Sequence, residues 1–305
     1  MVPTHRRSER LENLLASIRA TSPNSLDQVV IVDDTPESVG ASPGGVGLPV
    51  QWIHPQKRQF ISRAKNTGWR ATSSPLVAFV DDDNCVTDGL LDRLAAHFRD
   101  RPRLGAVMPG VLYKRRPDLV WVYATPFRPD RWAFDLIGRN RPRQASLESQ
   151  WLPTDALPNL SVIRREALEQ IGGFDERFPV NSSADLCQRL KRAGWDVVAD
   201  PGALTLHDVE PPGETAFWAE HVTQDPDRMR HEVADWFRFH RVWNGQRRLF
   251  PLQASWHALG FLLPTLFGVW VRKPSPRIRL SVELIRGYRD GLRGAVRPRE
   301  DTAGK

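Results

Sequence analysis

Three consecutive carboxylates, Asp81-Asp82-Asp83, close the unbroken apolar run Pro75-Leu76-Val77-Ala78-Phe79-Val80. In an extended segment residues two apart share a face, so Asp81 and Asp83 point together and Asp82 points away. Two carboxylates so placed form a hard oxygen site for Mg²⁺ or Mn²⁺, with positions left for phosphate oxygens. A metal held there would neutralise charge on a departing diphosphate. The same residues also suit a solvated acidic turn at a strand end. A second pair, Asp33-Asp34, closes the β-branched run Gln28-Val29-Val30-Ile31-Val32. One of these carboxylates can accept the ring N–H of a pyrimidine base; an N-cap or turn role is equally open for either.

The elements that must position these groups alternate along the chain. Apolar runs at 28–32, 49–53, 75–80 and 195–199 predict strands, and the lack of polar alternation suits strands covered on both faces. Leu11, Leu14, Leu15 and Ile18 recur at helical spacing in 8–20, as do Leu90, Leu91, Leu94 and Phe98 in 88–99; 61–71 and 184–193 complete the helices. Such alternation predicts a doubly wound α/β layer, in which ligands sit beyond the carboxyl ends of the strands. Both acidic clusters lie there. From 109 to 158 Arg, Pro and Trp crowd the chain, and long loops with short strands are expected over one end of the sheet, where an acceptor could be recognised.

At 305 residues the chain accommodates one large domain and an appendage. Its two cysteines, Cys85 and Cys187, make no disulfide framework and point to a reducing compartment. The opening Met1-Val2-Pro3-Thr4-His5-Arg6-Arg7 lacks the apolar stretch of a signal peptide. The net charge of +7 is concentrated late: residues 226–305 carry 16 Lys and Arg against 7 Asp and Glu, and the rest 27 against 29. The late arginines lie among apolar segments without a recognition module, which argues against nucleic acid. The stretch 258–271 is apolar, interrupted by Pro264 and flanked by Arg247-Arg248 and Arg272-Lys273. It is short for a membrane span and fits a helix lying in the interface of an anionic membrane, or one packed on the body. The expected division is 1–212 and 213–305.

Five segments in order resemble glycosyltransferase family 2. Pro3-Thr4-His5-Arg6-Arg7 is similar to its P-T-[YH]-[NR]-R opening and Val30-Ile31-Val32-Asp33-Asp34 to its V-[IV]-V-D-D strand. Arg63-Ala64-Lys65-Asn66-Thr67-Gly68 resembles its A-R-N-x-G helix, and Phe79-Val80-Asp81-Asp82-Asp83 its F-[LV]-D-x-D metal strand. Arg164-Arg165 followed by Gly172-Gly173-Phe174-Asp175-Glu176 resembles its acceptor-side R-R…G-G-F-D-E. The resemblance implies a GT-A fold, the Rossmann-like, mostly parallel sheet of nucleotide-diphospho-sugar transferases, with a helical, membrane-associated C-terminal segment. It implies a metal-dependent, inverting transfer from a nucleoside-diphosphate-sugar to a glycan or lipid-linked acceptor, as in cell-wall or polysaccharide biosynthesis, by a cytoplasmic protein at the inner face of the cell membrane. Pro3, Thr4, Asp33, Asp34, Lys65, Asp81 and Asp82 fall at nucleotide-sugar positions. Asp81, Asp83 and His207 are expected around Mn²⁺ or Mg²⁺, and Trp151 and Asp155 on the acceptor side.

Two departures bear on these expectations. The family's first strand begins several residues before its P-T motif, whereas Pro3-Thr4 follows Met1-Val2 directly. Inverting members also carry an E-D pair before D-L-x-x-R-L, its aspartate taking the proton of the acceptor hydroxyl. Ser182-Ser183 stands there, ahead of Asp185-Leu186-Cys187-Gln188-Arg189-Leu190. A serine is no general base at neutral pH. Asp185 is the replacement at hand, though an i,i+4 pair with Arg189 would give it a structural role. A degenerate member that binds nucleotide-sugar or partner glycosyltransferases without turnover is the alternative.

Overall fold

The apolar runs form strands, of which the one at 28–32 is buried on both faces at Val29–Val32. The computed structural model describes residues 1–6, 8–35, 47–131, 133–211, 226–244 and 277–293, and in addition 256, 263 and 266. β1 (Val2–Thr4), β2 (Val29–Asp33) and β3 (Val50–Ile53) form a fully parallel sheet in sequence order. Parallel neighbours need crossover helices. α1 (Ser8–Thr21) supplies the first, and α2 (Phe60–Arg70) follows β3 toward β4 (Leu76–Val80). β1 also bonds to β4: the Val80 N–H donates to the Met1 carbonyl at 3.1 Å and the Met1 amine to the Ala78 carbonyl at 2.8 Å.

β4 belongs to a larger, mixed sheet. β5 (Asn84–Cys85) and α3 (Leu90–Asp100) follow it, and then a hairpin of β6 (Leu104–Tyr113) and β7 (Arg116–Val122). Short elements come next: β8 (Phe127–Arg128), β9 (Ala133–Phe134), α4 (Ala145–Glu148) and β10 (Leu152–Pro153). The unit continues with β11 (Leu160–Arg164), α5 (Arg165–Ile171), α6 (Ser182–Arg192) and β12 (Asp196–His207). The strand order is β10-β12-β6-β11-β4; only β12 and β6 run parallel within it.

The region expected to be loops and short strands is so beyond residue 122, but before that it holds the end of one long core strand and its hairpin partner. β6 is buried at all ten positions. Its apolar run is broken by Gly105, Pro109 and Gly110, which hides it from a search for β-branched stretches. β12 is also longer than expected, because a bulge between Asp200 and Leu204 carries it past Pro201-Gly202 to His207.

Several family-like motifs prove to be fasteners. The Asn66 amide donates to the Phe174 carbonyl at 2.8 Å, and its oxygen accepts the Phe174 N–H at 2.9 Å and the Trp69 indole N–H at 3.1 Å. Gly173 sits at φ +80°, where a Cβ would come within 2.6 Å of the Asn66 side-chain oxygen, so glycine is required for this closure. Arg164 donates to the carbonyls of Phe98, Arg101 and Leu104, and Arg165 to those of Thr72 and Ser74. These two arginines, expected on the acceptor side, instead satisfy carbonyls at the ends of α3 and α2.

The chain divides into Met1–Gly213 and Glu214–Lys305. In the second unit α7 (Pro226–Asn244) and α8 (Arg277–Arg293) pack together. Gly287 and Gly291 permit the close approach: a Cβ on them would lie 2.6 Å from the Arg230 carbonyl and 2.8 Å from Phe237. Arg230 crosses to Asp290 at 2.7 Å. The interfacial helix expected at 258–271 lies outside the described residues except at 263 and 266. Among the described residues no helix is long and apolar enough to cross a membrane.

Candidate active site

Asp81, Asp82 and Asp83 do not continue β4; they form a turn into β5, closed by the Asn84 N–H on the Asp81 carbonyl at 3.2 Å. The alternation expected of an extended segment therefore does not apply, and each carboxylate has its own surroundings. Asp82 is buried and accepts the Thr4 hydroxyl at 2.7 Å. Both were expected at the nucleotide; they bind each other and fasten the turn to the end of β1. Asp81 is about one-third exposed and faces the buried Lys65, its Oδ1 3.4 Å from Nζ. Asp83 faces His207, with Oδ1 3.4 Å from Nε2, and Arg10 of α1, with Oδ2 3.4 Å from the guanidinium.

His207 reaches Asp83 through strand register. β5 pairs antiparallel with the end of β12, setting Leu206 opposite Cys85 and His207 opposite Asn84. The Asp208 N–H then donates to the Asp83 carbonyl at 2.7 Å. The imidazole is nearly buried, with the Trp121 ring edge-on at 4.8 Å, and its Nδ1 has no hydrogen-bond partner. Nε2 beside the Asp83 carboxylate is a nitrogen–oxygen donor pair suited to a borderline cation, while the unsatisfied Nδ1 lies on the other side of the ring. Neighbouring ligands of an octahedral ion at ordinary bond lengths lie about 3 Å apart, close to the spacing found. Asp83 and His207 therefore fit a divalent metal. Asp81 does not join them: among the described residues no three His, Cys, Asp or Glu side chains converge as a metal-binding group. The expected trio reduces to a pair, because the turn sends Asp81 to Lys65.

At the end of β2, Asp33 and Asp34 separate in the same way. Asp34 is buried and accepts the backbone N–H groups of Gln59 and Phe60 at 2.7 and 3.0 Å, while His5 Nδ1 lies 2.8 Å from its other oxygen. Its role is to satisfy the first donors of α2, the helix that carries Lys65. Asp33 is half-buried and accepts the Thr35 N–H at 3.0 Å. It lies beside the half-buried Pro3, whose ladder partner is Val32.

The acceptor-side expectations fare differently. Asp185 is buried and receives Arg189 at 2.7 Å, the guanidinium also bonding to the carbonyls of Ile171 and Gly173. This pairing clamps α6 to the turn after α5, the structural role that the i,i+4 spacing allowed. Asp155 is similarly occupied, by Lys191 at 2.6 Å, Gln188 at 2.9 Å and the Phe127 N–H at 2.8 Å. Trp151 packs on α3, with His97 at 4.5 Å and the Arg101 guanidinium at 3.8 Å from its ring. Its neighbour Leu152 pairs with Ala199, eight residues before His207 on β12, which separates Trp151 from the aspartate turn.

Sequence reasoning missed Arg10 and Trp121, the latter covered by the Arg139 guanidinium at 4.7 Å. Neither carries a local signal. Arg10 reads as an ordinary polar residue of α1, and Trp121 lies in the stretch taken for loops.

Parallel crossovers feeding a mixed sheet, with an acidic turn and a histidine meeting at strand ends, define a sugar-nucleotide transferase type of α/β protein. Residues 1–172 match the family model "Glycosyl transferase family 2", and the chain belongs to that family of transferase enzymes. It is 28% identical over 210 residues to the pre-mycofactocin glycosyltransferase of Mycobacterium tuberculosis, covering 68% of this chain and 42% of that protein. It is also 43% identical over 67 residues to the N-acetylglucosaminyl-diphospho-decaprenol L-rhamnosyltransferase of the same organism, covering 21% of this chain and 22% of that one. The chain thus spans less than half the length of these curated relatives. Two solved structures share the GT-A fold. The Pyrobaculum calidifontis mannosyltransferase PcManGT, in complex with GDP-Man and Mn²⁺, aligns at TM-score 0.52 and 17% identity, over 97% of this chain and 86% of its own. GalNAc-T7, with UDP, GalNAc and Mn²⁺, aligns at 0.56 and 12%, over 96% and 54%.

Proposed function

We propose that the chain transfers a sugar from a nucleoside-diphosphate donor to a glycan or lipid-linked acceptor, with metal dependence and with inversion. The observation that carries this reading is the meeting of Asp83 and His207, which are 124 positions apart in sequence, at 3.4 Å in a nearly buried recess. Asp83 and His207 hold the ion, which supplies positive charge for the leaving diphosphate when bound. Asp33 accepts the ring N–H of the base, beside Pro3. Lys65 holds its ammonium against Asp81, where the two orient the ribose and sugar. The acceptor hydroxyl oxygen attacks the anomeric carbon as the bond to the diphosphate oxygen breaks. Its proton passes to water or to the released diphosphate, since Ser182-Ser183 stand in place of the family's base and Asp185 is paired with Arg189.

That replacement favours a second reading, a family member that binds the donor, or partner glycosyltransferases, without turnover. A lipid-linked acceptor and the basic C-terminal region both support work at an anionic membrane surface, on the inner face of the cell membrane. Calorimetric titration with a panel of nucleotide-sugars, with and without Mn²⁺, tests the donor site. Metal-dependent binding of one donor is expected, and its absence for every donor overturns the proposal. Binding without transfer to any glycan or polyprenyl-diphosphate acceptor selects the second reading.

A further inference from the structure

Helix α8 has two apolar faces. One, with Leu280, Leu284, Gly287, Tyr288 and Gly291, is buried against α7. On the other, Ile278 is 72% exposed, Val282 39%, Ile285 53% and Leu292 43%. At 3.6 residues per turn these four fall in a strip about 80° wide, opposite the packed face.

Charge is sorted across the same helix. Glu283 is buried and receives Arg286, and Asp290 turns to Arg230 of α7. Glu283 is thus held within its own helix, and Asp290 lies between Arg230 of α7 and Arg289, whose Nε is 3.6 Å from its other oxygen. Arg279, Arg286 and Arg293 recur every seven residues and flank the apolar strip, while Arg289 lies within it; all four are exposed. An exposed apolar strip bordered by arginines, on a helix whose acids are each paired with arginine, complements an anionic interface in both hydrophobicity and charge.

We propose that this face of α8 docks on an anionic phospholipid surface, with Ile278, Val282, Ile285 and Leu292 entering the acyl boundary and the arginines at the headgroups. The proposal rests on the membrane reading above and places the contact on a face that reading did not use. A second copy of the chain complements the face less well, because pairing it with itself sets arginine rows together. A nucleic acid would use the arginines but leave the four apolar side chains in water.

The test is cosedimentation of the full-length protein with phosphatidylcholine vesicles, with and without phosphatidylglycerol. Wild type is expected to bind only the anionic vesicles and to be released by salt. Ile278→Ser with Ile285→Ser is expected to weaken binding by about ten-fold or more. Arg289→Gln with Arg293→Gln is expected to weaken it by about twenty-fold, at roughly five-fold per arginine. All these positions are exposed, so circular dichroism should show unchanged helicity. Wild-type binding that both double variants retain overturns the assignment to α8 and leaves the membrane reading standing. Failure of wild type to bind anionic vesicles overturns both. A dimer abolished by the serine pair, or DNA binding abolished by the glutamine pair, with vesicle binding unchanged, also overturns the assignment.

Discussion

The aspartate turn and the start of α6 both hold acidic residues, and they treat them in opposite ways. Around Asp81 and Asp83 the nitrogens of Lys65, Arg10 and His207 all stand 3.4 Å away. Around Asp185 and Asp155 the ion pairs are 2.6–2.7 Å and each carboxylate is already bound. A carboxylate in short, complete bonds is spent on the fold; one ringed by longer contacts retains capacity for another cation or donor. Under the proposed function, the difference separates a donor side from an acceptor side whose acids are tied into the fold.

The comparison can be broken by exchanging the two kinds of aspartate. Asp185→Ala leaves the half-buried Arg189 without its carboxylate, and a loss of about 2–3 kcal/mol in unfolding free energy is expected in denaturant titration. If Asp185→Ala instead keeps full stability and loses transfer, the carboxylate is functional and the contrast fails. Asp83→Asn should act the other way. Stability should change by no more than about 0.5 kcal/mol, while Mn²⁺-dependent donor affinity falls by about a hundred-fold, measured by calorimetry.

Thr4→Val sharpens the boundary inside the turn itself. It removes the hydroxyl bound to buried Asp82, and about 2 kcal/mol of stability should go, with donor affinity falling only as far as the turn loosens. Equal losses in both would return Thr4 to the nucleotide.

The smallest effect concerns Asp200, a buried residue of β12 beside its bulge, with Arg93 of α3 at 2.9 Å and His97 at 2.8 Å. Burial raises its pKa, but the bonds from His97 and Arg93 outweigh burial and hold the carboxyl below the ordinary range. Its folded value is thus depressed. The stability it contributes is present above the unfolded value near 3.9 and is lost as pH falls through the folded value. In Asp200→Asn the acid limb of the stability curve should be correspondingly shallower below about pH 4.

β2 and β4 were readable in the sequence because they are continuous apolar runs followed by acids. β2 and β4 begin one residue after their predicted starts, and α1, α2 and α3 fall within two residues of theirs. β6 was illegible because glycine and proline interrupt it, and β7 because it opens with Arg116, Pro117 and Asp118. β6 owes its strand character to β11 and β12, more than 50 residues away, and β7 forms as its hairpin partner, a tertiary effect that local propensity does not contain. At the site, the position of the acids could be read but their orientation could not. Which carboxylate turns inward depends on Thr4, on Gln59 and Phe60, and on Arg189. Only the last stands at a spacing that announces it.

The bulge at Pro201-Gly202-Ala203 has a consequence for how this family member can change. Side chains of a strand alternate, so the face that His207 presents depends on how many residues are taken up before it. Loss or gain of one residue in the bulge would send His207 to the opposite side of the sheet and offer Asp83 the side chain of Leu206 or Asp208. The bulge sets the phase of the strand, and a single-residue indel there would silence the histidine while every motif remained in place.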